Sequence, residues 1–428
     1  MKKKNWYRLD NAAKIYPPCS NYRRAGNFTL SALLTEDVNN IVLEKAVNNV
    51  LKRFPSINVK LKKGVFWYYF EENNKKFEVR EEEPYFLKYI DSKENNGFLF
   101  KVYYRKNKIS LVVFHALSDG GGALDVFKSL LYEYLILSGK KVSSGGLIKT
   151  VHSPSTLEET TDDFLTTYQH KKIKVEKEKS AFKTYGTPFQ YDGVGLITGK
   201  LSVTQLKSLA KRHNTTITIL ITAFYMQAIY EAMIKDKKIK NKLVKILVPV
   251  NLRKFFPSHT LRNFAMFARL SHDFTKPITL EECIETLSDQ LKQKTDKETL
   301  YSHMHSHVKT EKNIFLKIVP LFIKDVAMRI AYKYVGDNLH TANVSNLGVV
   351  ELPKSMQPYV KEFIFALNAS YSGKHNMAVI SYNDVLNITC TRAFAETTIE
   401  QNFFVLLAKN GVDVEVSSNY WEAEHETL

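Results

Sequence analysis

The stretch Lys108-Ile-Ser-Leu-Val-Val-Phe-His-Ala-Leu-Ser-Asp-Gly-Gly-Gly-Ala-Leu-Asp125 decides how the rest of the chain is read. Ile109 to Phe114 is a short apolar, β-branched run, which is how a buried strand reads. It stops at a lone imidazole, His115. Four residues on, Asp119 precedes Gly120, Gly121 and Gly122, and then Leu124, Phe127, Leu130, Leu131, Tyr134 and Leu135 recur at helical spacing. The order is strand, histidine, glycine turn, helix. A histidine at the end of an interior strand has its backbone fixed by the sheet, while its ring projects into whatever lies beyond. With an ordinary pKa near 6.5, imidazole removes a proton near neutrality and returns it within one turnover. Asp119 stands where a helix N-cap would, its carboxylate within reach of the amide of Gly121 or Gly122, and glycine lets the chain turn there at low steric cost. A lone strand-end histidine is ordinarily satisfied by a backbone partner. The Ser118-Asp119-Gly120 turn that follows this one shifts the reading toward chemistry.

Around that stretch lies a chain of 428 residues, too long for one ordinary core and read as two domains. Its 44% hydrophobic content is that of a globular protein rather than a disordered one. The net charge of +17 concentrates anions at the surface. Nucleic acid, acidic lipid, an acidic carrier protein and a coenzyme's phosphates all answer to that charge. Neither the aromatic and basic pattern of an RNA-binding sheet nor a zinc-finger spacing is present, so nucleic acid is not an expected partner. Lysine runs such as Lys2-Lys3-Lys4 and Lys171-Lys172 read as solvated faces. Cys19, Cys283 and Cys390 are odd in number and far apart, which implies no disulfide framework and suits a reducing, cytoplasmic setting. No apolar leader opens the sequence, and no charge-free run reaches transmembrane length. Ile314 to Val335 comes nearest, interrupted by Lys317, Pro320, Lys324, Asp325, Arg329 and Lys333. It reads as an amphipathic helix, with core packing the first expectation and attachment to a membrane surface the second.

In chain order, Phe28 to Leu34 reads as a strand, and Asp37 as the cap of a helix with Val38, Ile41, Val42, Val47, Val50 and Leu51 on one face. Arg53-Phe-Pro breaks that helix. Ile57 to Leu61 and Val65 to Phe70 read as a hairpin about Lys63-Gly64, and Phe98 to Tyr104 pairs with the motif strand across Lys106-Asn107. Between Ser138 and Gly195, Ser, Thr, Lys and Glu dominate, with nearly uninterrupted charge from Lys171 to Lys179, as in a crossover segment with some local helix. Gly193-Val-Gly195 and Gly199-Lys200 fail as nucleotide motifs, the first by glycine spacing and the second because Leu201 stands where Ser or Thr is needed. A second unit on a similar plan follows. It has helices over Leu206 to His213, Thr216 to about Lys235 and Leu280 to Lys294, and strands over Leu243 to Val250 and Phe264 to Leu270. Consecutive strands over Phe363 to Ala369, Met377 to Tyr382 and Val385 to Thr391 come next, then a last helix from Thr398 to Ala408. Two mixed α/β halves invite a site in the cleft between them.

His115-Ala-Leu-Ser-Asp119-Gly120 resembles the His-x-x-x-Asp-Gly motif of the coenzyme A-dependent acyltransferase superfamily, which includes chloramphenicol acetyltransferase, the condensation domains of peptide synthetases and alcohol acetyltransferases. Pro249-Val-Asn-Leu-Arg253 looks like the strand-end segment whose arginine pairs with the motif aspartate in condensation-type relatives. Leu261-Arg-Asn263-Phe to Arg269 is similar to the strand that follows it. Val344-Ser345-Asn346-Leu-Gly348, with Pro353 beyond, looks like the Ser-Asn-Leu-Gly segment of bacterial alcohol acetyltransferases and polyketide-associated acyltransferases. Arg53-Phe-Pro resembles the break after the family's first long helix. These anchors span about residues 28 to 400 in the family's order. Two departures narrow the resemblance. Phe114 stands where condensation domains carry a second histidine, which points away from peptide synthesis. The Asp-Phe-Gly-Trp-Gly motif of plant acyltransferases is absent.

The resemblance implies an α/β (α+β) fold of two chloramphenicol-acetyltransferase-like mixed-sheet subdomains forming a pseudo-dimer, with the active site in the tunnel between them. The expected divisions are an N-terminal subdomain over 1–170, a crossover over 171–194 and a C-terminal subdomain over 195–428. It implies His115 as general base, Asp119 and Gly120 as structural members of the motif, Arg253 as the salt-bridge partner of Asp119, and Ser345, Asn346 and Asn263 as substrate or oxyanion candidates. Each has a plainer reading: Arg253 as a surface arginine, Ser345 and Asn346 as shapers of a turn before Gly348, and Asn263 as a residue that caps or bridges a strand edge, the reading favoured for it. His303, His305 and His307 scatter if their segment is helical, and no metal is expected.

The implied chemistry is direct acyl transfer from an acyl-CoA co-substrate, most simply acetyl-CoA, to a small-molecule alcohol or other hydroxylated acceptor, with no resident cofactor. No Gly-x-Ser-x-Gly elbow is present, so no covalent acyl-enzyme is required. Two other readings stay open: an acyl carrier protein as donor, and a binding protein of the same fold without turnover.

Overall fold

The computed structural model describes residues 5–84, 86–169, 178–189, 194–234, 241–369 and 375–419. The motif strand, Lys108–Phe114, is central to a five-stranded sheet with the order Val360–Leu367, Asn27–Leu34, Lys108–Phe114, Phe100–Arg105, Arg80–Glu81. All pairs are antiparallel except the last. Lys106, at φ +49°, lets the two-residue turn with Asn107 close the hairpin that feeds the motif strand. From Ile109 to Phe114 every residue is buried, because helices Asn40–Arg53 and Gly120–Leu137 cover the sheet. Asn39, not Asp37, caps the first of these helices: its side chain accepts from the Val42 amide at 3.1 Å. Asp and Asn cap equally well. Tertiary pairing decides between them, since the Val38 amide bonds Lys106 and keeps Val38 outside the helix.

The second sheet has seven strands in the order Ala265–Asp273, Leu243–Asn251, Ala342–Val349, His375–Tyr382, Val385–Arg392, Gly195–Ser202, Glu415–Ser418. Ala342–Val349 runs parallel to both of its neighbours and the remaining pairs are antiparallel, so this sheet is mixed as well. Helix Ile217–Ile234 is apolar all round, as a helix enclosed on every side must be. Thr216 accepts from the Ile219 amide at its start. Among the described residues no single helix is long and apolar enough to cross a membrane.

The molecule is thus a mixed α/β pseudo-dimer of two large mixed sheets. One of the three strands read as consecutive in the second half is not a member of the second sheet. Val360–Leu367 pairs with Asn27–Leu34 at the edge of the first, with Phe363 opposite Ala32 and Phe365 opposite Leu30. Phe363 packs edge-on between Phe127 of the motif helix and Tyr382 of the second sheet, at 6.2 and 5.3 Å. Alternation explains why His375–Tyr382 is buried throughout. Ala378, Ile380 and Tyr382 enter the first half's core, while Met377 and Val379 enter the second's. Of the crossover, 171–177 and 190–193 lie outside the described residues, as do Lys2 to Lys4 and Lys235.

The long amphipathic helix is not one helix, and core packing is not its role. Val319 takes an extended conformation before Pro320, which separates Ile314–Ile318 from Leu321–Ala331, and a π-helical turn over Tyr332–Gly336 follows. In the first two helices only Leu321 and Asp325 are buried.

Arg53 carries the break after helix Asn40–Arg53 inward. Its guanidinium is buried and forks onto both carboxylate oxygens of Glu159 at 2.8 Å, with Lys149 on the same carboxylate at 3.0 Å. The Glu159 carbonyl accepts from the Leu261 amide, so this pair ties the first half to the loop beneath the motif turn. Burial alone would raise the Glu159 carboxyl, but Arg53 and Lys149 outweigh it and hold it below the ordinary value. Its stabilisation is therefore complete above the unfolded carboxyl's pKa and is lost as pH falls through the lower folded one. Arg53→Met should cost about 3–5 kcal/mol in urea unfolding at neutral pH, the penalty of breaking a buried pair, with the loss shrinking toward acid pH.

Candidate active site

The end of the motif strand fixes His115 through backbone and ring together. Its amide donates to the Gly26 carbonyl at 2.9 Å, one step past the last strand pairing. The ring lies flat against Tyr16, with centroids 4.6 Å apart and planes 8° from parallel, and meets Phe28 edge-on at 5.1 Å. These aromatic walls desolvate the imidazole and lower its pKa below the ordinary 6.5 despite the nearby Asp119 charge. The ring is thus neutral at physiological pH.

Its tautomer follows from a chain of bonds. His115 Nδ1 is 2.9 Å from Asn263 Oδ1, and Asn263 Nδ2 donates to Asp10 Oδ2 at 3.1 Å. Asp10 also accepts from the Ala13 and Asn263 amides, so every described partner of its carboxylate is a donor. Burial raises the Asp10 carboxyl above its ordinary value, outweighing Arg262 and the bonds from Asn263 and Ala13 that oppose the rise. With its NH₂ committed to Asp10, Asn263 presents only its oxygen to the ring. Nδ1 must carry the proton, and Nε2 is left with its lone pair.

Asp119 spreads its carboxylate over three donors. Oδ1 accepts from the Gly122 amide at 2.9 Å, which caps the motif helix. Oδ2 accepts from Arg253 Nη1 at 2.7 Å and from the Phe264 amide at 2.8 Å. Arg253 stands in the short turn Leu252–Lys254 after strand Leu243–Asn251, and its remaining donors reach the carbonyls of Thr260 and Arg262. One guanidinium therefore gathers the 260–262 loop, the strand end and the motif turn.

Of the three motif glycines, Gly122 has the least room. A Cβ there would lie 2.2 Å from the Leu261 carbonyl oxygen and 2.5 Å from Ser118 Oγ. At Gly120 it would meet only the far end of the Leu347 side chain, at 2.6 Å. Leu347 lies on strand Ala342–Val349, so the second half touches the motif turn here too.

The other sequence candidates divide. Asn263, just before strand Ala265–Asp273, bridges His115 and Asp10, with Oδ1 at the ring nitrogen and Nδ2 donating to the carboxylate. Asn346 is also engaged at both ends, donating to Thr218 Oγ1 at 3.0 Å and accepting from the Gly348 amide at 2.8 Å, where Gly348 has φ +80°. It shapes the turn. Ser345 is buried on the same strand, two residues before Leu347 and so on the same face. His303, His305 and His307 lie on helix Lys297–Lys312, with His305 buried against Tyr168. Among the described residues no group of three His, Cys, Asp or Glu side chains is arranged to hold a metal. Sequence reasoning missed Asp10 and Tyr16. Asp10 does carry a local sign, a carboxylate before Asn11-Ala12-Ala13 at a short helix start, but its partner Asn263 is 253 residues away.

The two-lobed mixed α/β fold is that of the acetyltransferases and condensation domains among solved structures. The family model for alcohol acetyltransferase matches residues 147–410, and the chain belongs to that family. The matched stretch contains Arg253, Asn263, Ser345 and Asn346 and begins after His115. No curated protein matches the chain. Among solved structures it is similar to polyketide synthase associated protein 5 from Mycobacterium tuberculosis, with a TM-score of 0.59 and 12% identity over 95% of this chain and 98% of that one. It is also similar to TRI3 trichothecene 15-O-acetyltransferase from Fusarium sporotrichioides, with a TM-score of 0.57 and 11% identity over 94% and 93%. F. sporotrichioides TRI101, complexed with coenzyme A and T-2, has a TM-score of 0.58 at 10% identity over 93% and 96%. At such identities the likeness establishes the fold alone.

Gly122→Ala should lose folded protein or several degrees of melting temperature, because the clash is with backbone. Gly120→Ala should fold nearly as well as wild type, since Leu347 has rotamers to move into. Thermal melts of the two purified variants compare them directly.

Proposed function

We propose that the chain transfers an acyl group, most simply acetyl, from acyl-CoA to the hydroxyl of a small alcohol, with His115 as general base. The observation that carries this reading is the Asp10–Asn263–His115 chain, which protonates Nδ1 and leaves Nε2 bare in a half-buried, aromatic-walled position. Nε2 takes the acceptor's proton as its oxygen attacks the thioester carbonyl. The tetrahedral intermediate collapses to the ester as the C–S bond breaks, and the imidazolium returns the proton to the departing thiolate. Ser345, Asn346 and Asn263 are the oxyanion candidates, the first two on the strand whose Leu347 packs against Gly120. Asp119 and Arg253 are positioning residues and relay no proton. In this reading residues 1–170 and 195–428 are the two subdomains joined by 171–194, with strand Val360–Leu367 lent by the second to the first. A membership shared with alcohol acetyltransferases, and a fold shared with a protein complexed with coenzyme A, support this donor and acceptor.

Thiol release from acetyl-CoA, measured over a panel of alcohols, tests the proposal. Turnover in wild type should fall by about 10²- to 10⁴-fold in His115→Ala. Equal rates would remove His115 from the mechanism, and release only from a loaded carrier protein would replace the donor. The single-turnover rate should be flat at neutral pH and fall only as pH drops through a value below 6.5, where His115 takes a proton. Asn263→Ala should retain folding and acetyl-CoA binding while lowering kcat by about 10²-fold, the cost of a misoriented base.

A further inference from the structure

The broken amphipathic segment and the tip of the Val59–Lys63/Tyr68–Glu72 hairpin form one apolar face that the core does not use. Phe315 and Phe322 are 74% and 65% exposed, and Trp67 at the hairpin tip is 52% exposed, with Phe66, Ile318 and Val326 also open to solvent. Four bonds join the two segments. The Leu321 amide donates to the Val65 carbonyl at 2.8 Å and Lys324 Nζ to the Phe66 carbonyl at 2.8 Å. Lys63 and Tyr68 both reach the buried Asp325, at 3.0 and 2.9 Å. The apolar side chains therefore project from a braced platform. Monomeric proteins rarely leave so many large side chains together in water without a use for them.

The charges on the broken segment itself are cationic with one exception. Between residues 312 and 334 the cations are Lys312, Lys317, Lys324, Arg329 and Lys333, and the sole acid is Asp325, which is turned inward. Apolar side chains with an indole at the edge and lysines around them match the boundary of an anionic lipid bilayer, where acyl chains take the aromatics and headgroups take the lysines. A second copy of this chain fits worse, since a face-to-face pair would set cation against cation. We infer that this face docks the protein on anionic membrane surfaces.

Docking would bring the bilayer close to the imidazole. Arg329 Nε donates to the Pro18 carbonyl at 2.7 Å and the Cys19 thiol faces the Met328 carbonyl, so helix Leu321–Ala331 rests on helix Tyr16–Cys19, whose Tyr16 stacks on His115. Membrane binding is nonetheless measured without turnover, so this inference stands or falls separately from acyl transfer.

The test is flotation of the full chain with phosphatidylcholine vesicles, with and without phosphatidylglycerol. Binding should require phosphatidylglycerol and weaken as salt rises from about 0.1 M to about 1 M, where the screening length shrinks from about 10 to about 3 Å. Phe315→Asp/Phe322→Asp, both exposed and so harmless to folding, should lower binding about tenfold or more at an unchanged melting temperature. Lys317→Glu/Lys333→Glu should weaken binding to anionic vesicles. No binding to either vesicle, or binding that both double variants leave intact, would overturn the inference. So would a dimer in solution that Phe315→Asp/Phe322→Asp dissociates, since the occupant would then be a second copy.

Discussion

Everything near the imidazole depends on how the Asp119 carboxylate is shared. One oxygen holds the Gly122 amide and so starts the motif helix; the other holds Arg253 and the Phe264 amide from the opposite half. A carboxylate with three charge-assisted bonds in a buried turn can be replaced only at considerable cost, since each donor would be left unsatisfied. The close approach of the Leu261 carbonyl to Gly122 belongs to the same junction. With the 260–264 segment pinned there, Asn263 arrives at His115 Nδ1. The aspartate of the motif thus places the histidine's partner, and its charge opposes the fall in the imidazole's proton affinity without reversing it.

The imidazole's two properties come from different parts of the chain. Its low proton affinity comes from the aromatic walls of Tyr16 and Phe28, which exclude water from the charged form. Its tautomer comes from Asp10 through Asn263. A neutral ring with Nε2 open is suited to taking a hydroxyl's proton and poorly suited to holding a permanent charge. The buried His375 differs in its partner, meeting the Glu400 carboxylate directly at 2.9 Å.

The strand, turn and helix about His115 were legible because their signals are local: an apolar run, a capping carboxylate and glycines in consecutive positions. Helix Leu280–Lys294 was legible for the same reason, with Thr279 and Glu282 forming a capping box at its start. What the sequence hid depends on contacts between distant residues. Val360–Leu367 reads as a strand, but nothing within it says which sheet it joins, and the Asn27–Leu34 edge decides that. Asn263 read as a cap or bridge at a strand edge, but its partners Asp10 and His115 could not be named because they lie far away in the chain. Residues 314–335 read as one amphipathic helix despite Pro320, which in fact divides it, and nothing in the sequence says that its apolar face is left open.

The most direct measurement is the ¹⁵N resonance pair of the His115 ring, assigned by its loss in His115→Ala and followed through a pH titration. The account predicts a proton on Nδ1, an unprotonated Nε2 at neutral pH and a pKa below 6.5. An Nε2-protonated ring, or a ring that titrates above 6.5, would contradict it.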